Sequence, residues 1–403
     1  MLDSRQTKGG VGESVLRPDG PDKVAGRFLF AGDLVAPAML FGKTVRSPHP
    51  HARLLAVDTS TAERMPGVRA VLTARDIPGV NRHGLDSDTQ DQPVLVAIGE
   101  EAMYAGDPVA LVAADHPEQA RAAAAAVRLE WEALAPVTDP VRALVEGRSL
   151  YNVVIRRGDP GAGADVIVDG YYEVGQQDQA PLGPESGLAI PGPGGSIDIW
   201  VATQALHVDL RQVAPALGLP PEKVRLRLAG VGGAFGARED ISMQIHASLL
   251  ALRTGRPVKM WYGREESFVG HVHRHPVWMW YSHGADREGN LVFVRATLCF
   301  DGGAYASSSH AVVTNAASFA AGPYRVPNVK VWSGAARTNH VPNGAMRGFG
   351  ATQVCFAHEA QMDKLAQALG MDPVQLRLKN VVRSGDRLIT GQQVTGPAPV
   401  EQL

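Results

Sequence analysis

Two glycine-bearing loops carry the residues with the clearest capacity for chemistry. The first, residues 230–239, has the sequence Gly-Val-Gly-Gly-Ala-Phe-Gly-Ala-Arg-Glu. A predicted strand, Val224–Leu228, precedes it, and a predicted buried helix, Asp240–Thr254, follows it. Backbone amides in such a loop can crowd an anionic ligand, because no bulky side chains stand in the way. The loop is therefore a candidate anion site.

This first loop departs from two common phosphate-binding motifs. A dinucleotide fingerprint needs a third glycine where Phe235 stands, and a P-loop needs a Gly-Lys-Ser/Thr sequence that does not follow here. From the residues alone, a tight packing turn and a ligand-binding loop are equally good interpretations.

The second loop, residues 343–353, reads Asn-Gly-Ala-Met-Arg-Gly-Phe-Gly-Ala-Thr-Gln and precedes a strong amphipathic helix, Cys355–Leu369. It adds a cation, Arg347, to further backbone amides. Alone, an arginine of this kind is more often a surface or ion-pair residue than a ligand. Together, the two loops predict a single extended, anionic cofactor.

The elements that must position these loops form a mixed α/β (α+β) pattern in two units. We predict an N-terminal arm, a first α/β domain, a loop-rich linker, a second α/β domain and a polar tail. The arm spans residues 1–20, the first domain 21–137 and the linker 138–165. The second domain spans residues 166–395 and the tail 396–403. In the first domain the predicted helix Pro117–Ala126 has Asp115 as its expected N-cap.

Bulk composition excludes several classes of function. The 403 residues carry a formal net charge of −2, so nucleic acid is not an expected partner. Two cysteines, Cys299 and Cys355, are too few for an iron–sulfur cluster and are expected in the core. No signal peptide and no membrane span is visible, which makes the cytoplasm the expected location.

The paired loops resemble the molybdopterin-contacting loops of the xanthine dehydrogenase and aldehyde oxidase family. The family forms read approximately Gly-Gly-Gly-Phe-Gly-Gly-Lys-Glu and Phe-Arg-Gly-Phe-Gly-Gly-Pro-Gln. Further similar segments are Val201–Gln204, His275-Pro276, Asp301–Tyr305, Tyr324–Asn328 and Met371–Pro373. Arg17–Asp19, Lys23–Arg27 and Arg46–Ala52 are similar to the family's hammerhead domain. The resemblance covers about residues 12–395 and implies a hammerhead domain followed by the first molybdopterin-binding domain.

The resemblance implies a molybdenum–molybdopterin cofactor, with its cytosine dinucleotide form as one option. It places Gln204 as the catalytic residue that hydrogen-bonds an oxygen on molybdenum. It also implies cofactor contacts from both loops: Gly233, Ala234, Phe235, Gly236, Met346, Arg347 and Gly348. The 2Fe-2S clusters and FAD that carry electrons away are expected on an iron–sulfur subunit and a FAD subunit.

The family's proton-accepting glutamate, in a Gly-x-Gly-Glu setting, is expected on a separate chain that supplies the second molybdopterin-binding half. Gly10-Val11-Gly12-Glu13 has this pattern but stands at the entry to the first domain, where the family has a non-catalytic lead-in. Since a positioned base contributes about 10²–10⁴-fold, this chain alone is expected to be nearly inactive. Nicotinate dehydrogenase-like enzymes are split in this way. The alternatives are a non-catalytic scaffold and a truncated relic.

The substrate is expected to be small, an N-heterocycle slightly ahead of an aldehyde. Where purine-oxidising members have a glutamate, Gly183 stands, and the nearest carboxylate is Glu185; the purine-binding arginine would fall at Asn315. Glu185 and Asn315 are therefore the candidate substrate residues, with a structural glutamate an equal alternative. Gly348 replaces a cysteine found in carbon monoxide dehydrogenases, which argues against that activity.

The segment His271-Val-His-Arg-His275 alternates, so its three imidazoles would share one face of a strand. No carboxylate or cysteine adjacent in sequence completes a ligand set, and we predict no metal site there. Trp278 and Trp280 are expected on one face of a buried strand.

Overall fold

The computed structural model describes residues 10–86, 89–159 and 161–402. The first nine residues of the predicted arm, and Pro160 of the predicted linker, lie outside the described residues. Residues 10–19 form no helix or strand.

The N-terminal part of the chain is an α/β unit. Its elements, in chain order, are α1 (Gly20–Val24), β1 (Leu40–Arg46), β2 (Ala52–Asp58), α2 (Ser60–Glu63), β3 (Val68–Thr73), β4 (Glu101–Ala102), β5 (Pro108–Ala114), α3 (Pro117–Ala126) and β6 (Arg128–Ala133). β5 is buried along its whole length, which explains its unbroken run of apolar residues.

The rest of the chain forms a second, larger α/β unit. Its elements are α4 (Pro140–Val145), β7 (Ser149–Arg157), β8 (Val166–Val174), β9 (Ser186–Pro191), β10 (Ile197–Val201), α5 (Leu206–Ala216), β11 (Val224–Leu228), α6 (Gln244–Thr254), β12 (Val258–Trp261), α7 (Arg264–Gly270), β13 (His273–Arg274), β14 (Val277–Ala285), β15 (Leu291–Gly303), α8 (Ser309–Phe319), β16 (Asn328–Arg337), β17 (Asn343–Gly344), α9 (Ala351–Leu369) and α10 (Pro373–Asn380).

A seven-stranded sheet joins the two units, in the order β11-β10-β9-β12-β1-β5-β3. The joint is the parallel pairing of β1 with β12, in which Leu40 lies opposite Val258. The apolar residues of α5 and α6 pack on this sheet and complete one core. The N-terminal unit therefore shares its main sheet with the unit that carries both loops.

A second sheet, in the order β7-β16-β15-β14-β8, carries the other large core. α8 and α9 cover one of its faces. A short parallel pair, β13 with β17, sets His273–Arg274 beside Asn343–Gly344. Of the described helices, none combines the length and the apolar character needed to cross a membrane.

Several predicted elements differ from the structure. Residues 138–165, expected to be a loop-rich linker, contain α4 and β7, because β7 pairs with β16 at the edge of the second sheet. The N-cap of α3 is His116, whose ring accepts the Glu118 N–H, while Asp115 forms ion pairs with Arg69 and Arg256. Local sequence could not reveal partners so far away in the chain.

The predicted shared face of the two tryptophans on β14 is confirmed. In β14 residues 277, 279, 281 and 283–285 are buried, so Trp278 and Trp280 do share one face of a largely buried strand. That face is the more open one, with Trp278 partly buried and Trp280 40% exposed.

The burial predicted for Cys355 was wrong. Cys355 is exposed on α9, whereas Cys299 is buried as expected. The buried stripe of α9 includes Val354, Ala357 and His358, and Cys355 lies outside it. The helix also begins four residues earlier than predicted, at Ala351.

One buried histidine gives a testable pH dependence. His246 on α6 accepts at Nδ1 from Thr44 and donates from Nε2 to the Val94 carbonyl, at 3.3 and 3.0 Å. Burial lowers its pKa to about 4, below its ordinary 6.5. Its contribution to stability is therefore complete above pH 6.5 and is lost as the pH falls from 6.5 towards 4.

We expect His246→Gln to make the free energy of unfolding less sensitive to acid, by up to about 3 kcal/mol over that range. Denaturant unfolding of both proteins at pH 7.5 and 5 would measure the difference. If both proteins lose the same unfolding free energy between these two pH values, the pH dependence does not come from His246.

Candidate cofactor site

The carboxyl ends of two neighbouring strands begin the site. β10 and β11 are parallel, and Val201 at the end of β10 lies opposite Leu228 at the end of β11. The residues that follow the two strands, Thr203-Gln204 and the first loop, therefore emerge at the same sheet edge. This is where open α/β sheets generally bind ligands.

The two predicted loops meet in the structure. The Arg347 N–H donates to the Phe235 carbonyl at 2.8 Å. Gly236 approaches so closely that a Cβ there would lie 2.4 Å from the Ala345 carbonyl oxygen. Its φ is +106°, a conformation that side chains rarely adopt. Glycine at 236 is therefore required by the contact between the loops.

Gln204 is held at the same place. Its Oε1 accepts the Gly236 N–H at 3.1 Å, and its backbone N–H donates to the Arg238 carbonyl at 2.9 Å. Because Oε1 is engaged, Nε2 is the end that can donate to a ligand. In the structure it lies 3.5 Å from a carboxylate oxygen of Glu239. The side chain is solvent-exposed and presents a hydrogen-bond donor.

A cleft of about 390 Å³ lies between the loops. Its lining residues are Gln204, Phe235, Gly236, Glu239 and Ala345–Phe349. The Phe235 ring is half-exposed on its surface. All of these residues except Ala345, Glu239 and Phe349 were predicted site residues.

Backbone strain concentrates around this cleft. Phe235 and Phe349 have φ of +53° and +49°, and Ala180 and Ser307, in neighbouring segments, have +40° and +43°. Non-glycine residues rarely adopt such values, and they persist only where surrounding structure imposes them. Strain of this kind is typical of functional sites.

The donors of the cleft fit an extended anionic group. Within the described part of the chain, the amides of Phe235, Met346 and Gly348 have no hydrogen-bond acceptor. The exposed Arg347 guanidinium has no ion-pair partner among these residues either. The Gly236 amide, by contrast, is already engaged by Gln204. Three amides and one cation around a narrow cleft suit a negatively charged group of the expected cofactor.

Gly233 and Ala234 lie behind this surface. Gly233 has φ +111° and packs against Pro181, and the Ala234 carbonyl accepts the Ala237 N–H. These contacts shape the loop from within.

The two candidate substrate residues lie apart from each other. Glu185 is 1% exposed and forms a buried ion pair with Arg238, at the end of the first loop. Asn315 on α8 donates from Nδ2 to the Phe349 carbonyl at 2.7 Å, which fixes the second loop from below. Both residues therefore hold the loops in the structure.

Three supporting residues were missed by the sequence analysis. Arg274 donates to the Arg347 carbonyl at 2.7 Å and to Thr352 Oγ1 at 2.8 Å. Gln179 donates to the Ala345 carbonyl at 2.6 Å. Glu239 borders the cleft itself. Only Glu239 carried a local signal, since it closes the first loop, whereas the other two depend on contacts distant in sequence.

Burial shapes the electrostatics behind the first loop. It raises the pKa of Glu239, and it raises the pKa of Asp240 to about 7, although Ser307 hydrogen-bonds the Asp240 carboxylate. The Asp240 carboxyl group is therefore partly protonated near neutral pH, which reduces the repulsion that an anionic ligand would meet.

Comparison with known proteins agrees with this site. Residues 146–381 match the model of the molybdopterin cofactor-binding domain. Residues 25–135 match the a/b hammerhead domain of aldehyde oxidase and xanthine dehydrogenase. The chain belongs to the xanthine dehydrogenase and aldehyde oxidase family. The family resemblance, and the order of a hammerhead domain before a molybdopterin-binding domain, are both confirmed.

Individual relatives of this family cover the chain almost completely. The nicotinate dehydrogenase large molybdopterin subunit of Eubacterium barkeri is 38% identical over 95% of this chain and 92% of that protein. A probable xanthine dehydrogenase subunit of Bacillus subtilis (strain 168) is 38% identical over 93% of this chain. The structure of the aldehyde oxidoreductase from Desulfovibrio gigas aligns with a TM-score of 0.92 at 32% identity, over 96% of this chain. The chain spans 51% of the Bacillus protein and 45% of the Desulfovibrio chain.

Proposed function

We propose that this chain provides the first half of the molybdopterin site of a molybdenum hydroxylase. The reaction would oxidise a C–H carbon of an N-heterocycle or an aldehyde, with water as the source of oxygen. The observation that carries the proposal is the meeting of Gln204 with both loops at one donor-rich cleft. The bound molybdenum cofactor would supply the redox chemistry, and the protein would supply binding, orientation and electrostatics.

Each part of the cleft has a proposed role. The Gln204 Nε2 group would donate a hydrogen bond to an oxygen at the metal end of the cofactor. The amides of Phe235, Met346 and Gly348 would hold the anionic portion, and Arg347 would balance its charge. As one option, the bound cofactor would be the cytosine dinucleotide form of molybdopterin.

We further propose that the proton-accepting glutamate comes from a separate polypeptide, and that this chain is inactive alone. The match across 92% of the Eubacterium large molybdopterin subunit supports this, since that protein is itself a subunit of similar span. An iron–sulfur subunit with 2Fe-2S clusters and a FAD subunit would complete electron transfer.

For the substrate, an N-heterocycle is the preferred class and an aldehyde the alternative. The name of the Eubacterium relative refers to nicotinate, a heterocycle, whereas the Desulfovibrio structure is of an aldehyde oxidoreductase. The carboxylate that borders the cleft is Glu239, since Glu185 is enclosed with Arg238. Glu239 would thus be the carboxylate of this chain that faces a bound substrate.

Purification from the native host under gentle conditions would test the proposal, with molybdenum measured per complex and co-purifying chains identified by mass spectrometry. We expect stoichiometric molybdenum and a second chain that carries the Gly-x-Gly-Glu segment of the proton-accepting glutamate. If the chain purifies alone and without molybdenum, the proposal is contradicted. The remaining interpretations are then a non-catalytic scaffold and a truncated relic.

Within the assembled enzyme, we expect Gln204→Ala to lower kcat about tenfold while molybdenum content stays unchanged. A hydrogen bond to a charged group contributes about 1.5–3 kcal/mol, and the lower value corresponds to roughly tenfold. Steady-state kinetics and metal analysis of the same sample would measure both quantities. Unchanged kcat at full molybdenum loading would remove Gln204 from the proposed mechanism.

A further inference from the structure

A second group of polar side chains lies behind the second loop, outside the cleft. His271 and His273 are buried, at 6% and 4% exposure, and Asp178 lies between them. Asp178 Oδ2 is 3.3 Å from His271 Nε2 and 3.0 Å from His273 Nδ1. One ligand atom from each residue lies within 4.8 Å of the other two. His275, the third alternating histidine, instead contacts Ser309 Oγ.

Backbone carbonyls determine where the ring protons of the two histidines reside. His271 Nδ1 contacts the Ser267 carbonyl at 2.5 Å, and His273 Nε2 contacts the Phe268 carbonyl at 2.9 Å. A carbonyl can only accept, so these nitrogens donate. In the neutral rings, His271 Nε2 and His273 Nδ1 therefore carry lone pairs, and both point at Asp178.

The oxygen atoms at the same place are also acceptors. Asp178 Oδ1 is occupied by the Ala180 N–H, which leaves Oδ2 for the imidazoles. Gln179 donates from Nε2 to the Ala345 carbonyl, so its Oε1 is the atom 3.3 Å from His271 Nε2. Two nitrogen and two oxygen lone pairs thus converge. Asp178 Oδ2 and His273 Nδ1 are buried and have no hydrogen-bond partner within the described residues.

Buried acceptors that face one another are unfavourable unless a positive charge lies between them. We propose that Asp178, His271 and His273, together with the amide oxygen of Gln179, bind a divalent transition-metal ion of the zinc class.

The ligand types and spacing suit this ion class. Imidazole nitrogens with carboxylate or amide oxygens are ligands of zinc and its neighbours, whereas calcium and magnesium take oxygen almost exclusively. Bond lengths of roughly 2.0–2.1 Å in a tetrahedron separate the ligand atoms by about 3.3 Å. The three contacts at 3.0–3.3 Å have that spacing.

The proposed ion would act as a structural support for the cleft. Asp178 and Gln179 belong to the segment that also includes Gln177, which accepts from Arg274 Nε at 2.9 Å. Gln179 and Arg274 hold the carbonyls of Ala345 and Arg347, on either side of Met346. Fixing this segment to two histidines would therefore fix the second loop, without contact between the ion and the cleft.

Metal analysis of the full chain, purified without added metal or chelator, would test the site. We expect about one equivalent of zinc per chain, counted separately from molybdenum. After removal by a chelator, added Zn²⁺ should bind again and raise the unfolding temperature by several degrees. Co²⁺ in its place should give the visible absorption of a tetrahedral nitrogen–oxygen site.

Matched variants separate the site from general effects on folding. His273→Gln retains a donor for the Phe268 carbonyl but removes the Nδ1 lone pair, and should weaken Zn²⁺ binding at least about tenfold. His275→Gln, an equally buried change two residues away, should bind Zn²⁺ like the wild type. The proposal is overturned if the wild-type protein contains no zinc, its unfolding temperature does not change when Zn²⁺ is added, and Co²⁺ gives no visible absorption. This result needs no variant, so it applies even if the variants fail to fold. Equal affinity in His273→Gln and wild type would also overturn the proposal. Neither outcome depends on whether molybdenum is bound.

Discussion

Gly236→Ala is expected to lower molybdenum content and activity of the assembled enzyme together, by roughly 5- to 150-fold. The positive φ of +106° would by itself cost an alanine about 1–3 kcal/mol, which corresponds to that range. The new methyl group would also lie 2.4 Å from the Ala345 carbonyl oxygen, closer than any van der Waals contact. Relief requires that the two loops separate, and the cleft between them then loses its shape.

Molybdenum per complex and kcat are the quantities to compare. Gly263→Ala is the matched control, because Gly263 has an ordinary φ of −69° and no atom within 4 Å of the place that a Cβ would occupy. We expect this control to equal the wild type in both measurements. If Gly236→Ala keeps full molybdenum and full activity, contact between the loops is not needed for cofactor binding, and the proposed site is wrong.

Glu185→Gln is expected to destabilise the folded chain by about 3–5 kcal/mol. The substitution removes one partner of a fully buried ion pair and leaves the Arg238 charge without compensation. The remaining acceptor for Arg238 is the Gly183 carbonyl at 2.7 Å. Because Arg238 also accepts at its carbonyl from Gln204, the first loop should become less ordered as well.

Denaturant unfolding would measure this loss, with Glu118→Gln as control. Glu118 pairs with Arg121 on the exposed face of α3, and such surface pairs contribute at most about 1 kcal/mol. The experiment also decides between the two interpretations of Glu185. If Glu185→Gln unfolds like the wild type but has a much higher KM, the carboxylate contacts substrate and the buried pair is dispensable.

Periodic segments of the chain were largely predictable from sequence. The strand Val224–Leu228 has the bounds predicted for it, and helix α9 ends at Leu369 as predicted. Gly370 follows α9 as its C-cap, and Asp372 is the N-cap of α10. Gly370 adopts φ +64°, and the Asp372 side chain accepts two N–H groups of α10. Such signals are local, since the chemistry of the cap lies within four residues of the element.

Features that depend on distant partners were not predictable. No residue of β7 is fully buried, and the strand forms where β16 pairs with it at the edge of the second sheet. Likewise, the first and second loops could be proposed as neighbours from their resemblance, but Arg274 and Gln179 needed the fold to place them. The same holds for Asp178, which stands 93 positions before His271 and completes a ligand set that is incomplete in the local sequence.

The shared seven-stranded sheet has a consequence for the order of events during synthesis. Leu40 and its partner Val258 are 218 positions apart. At a translation rate of roughly 5–20 residues per second, β1 would leave the ribosome about 10 to 40 s before β12 exists. Until then the edge of β1 is an open template for other strands. The nascent chain should therefore depend on chaperones during this interval, and a protein cut between the two family-matched segments should aggregate.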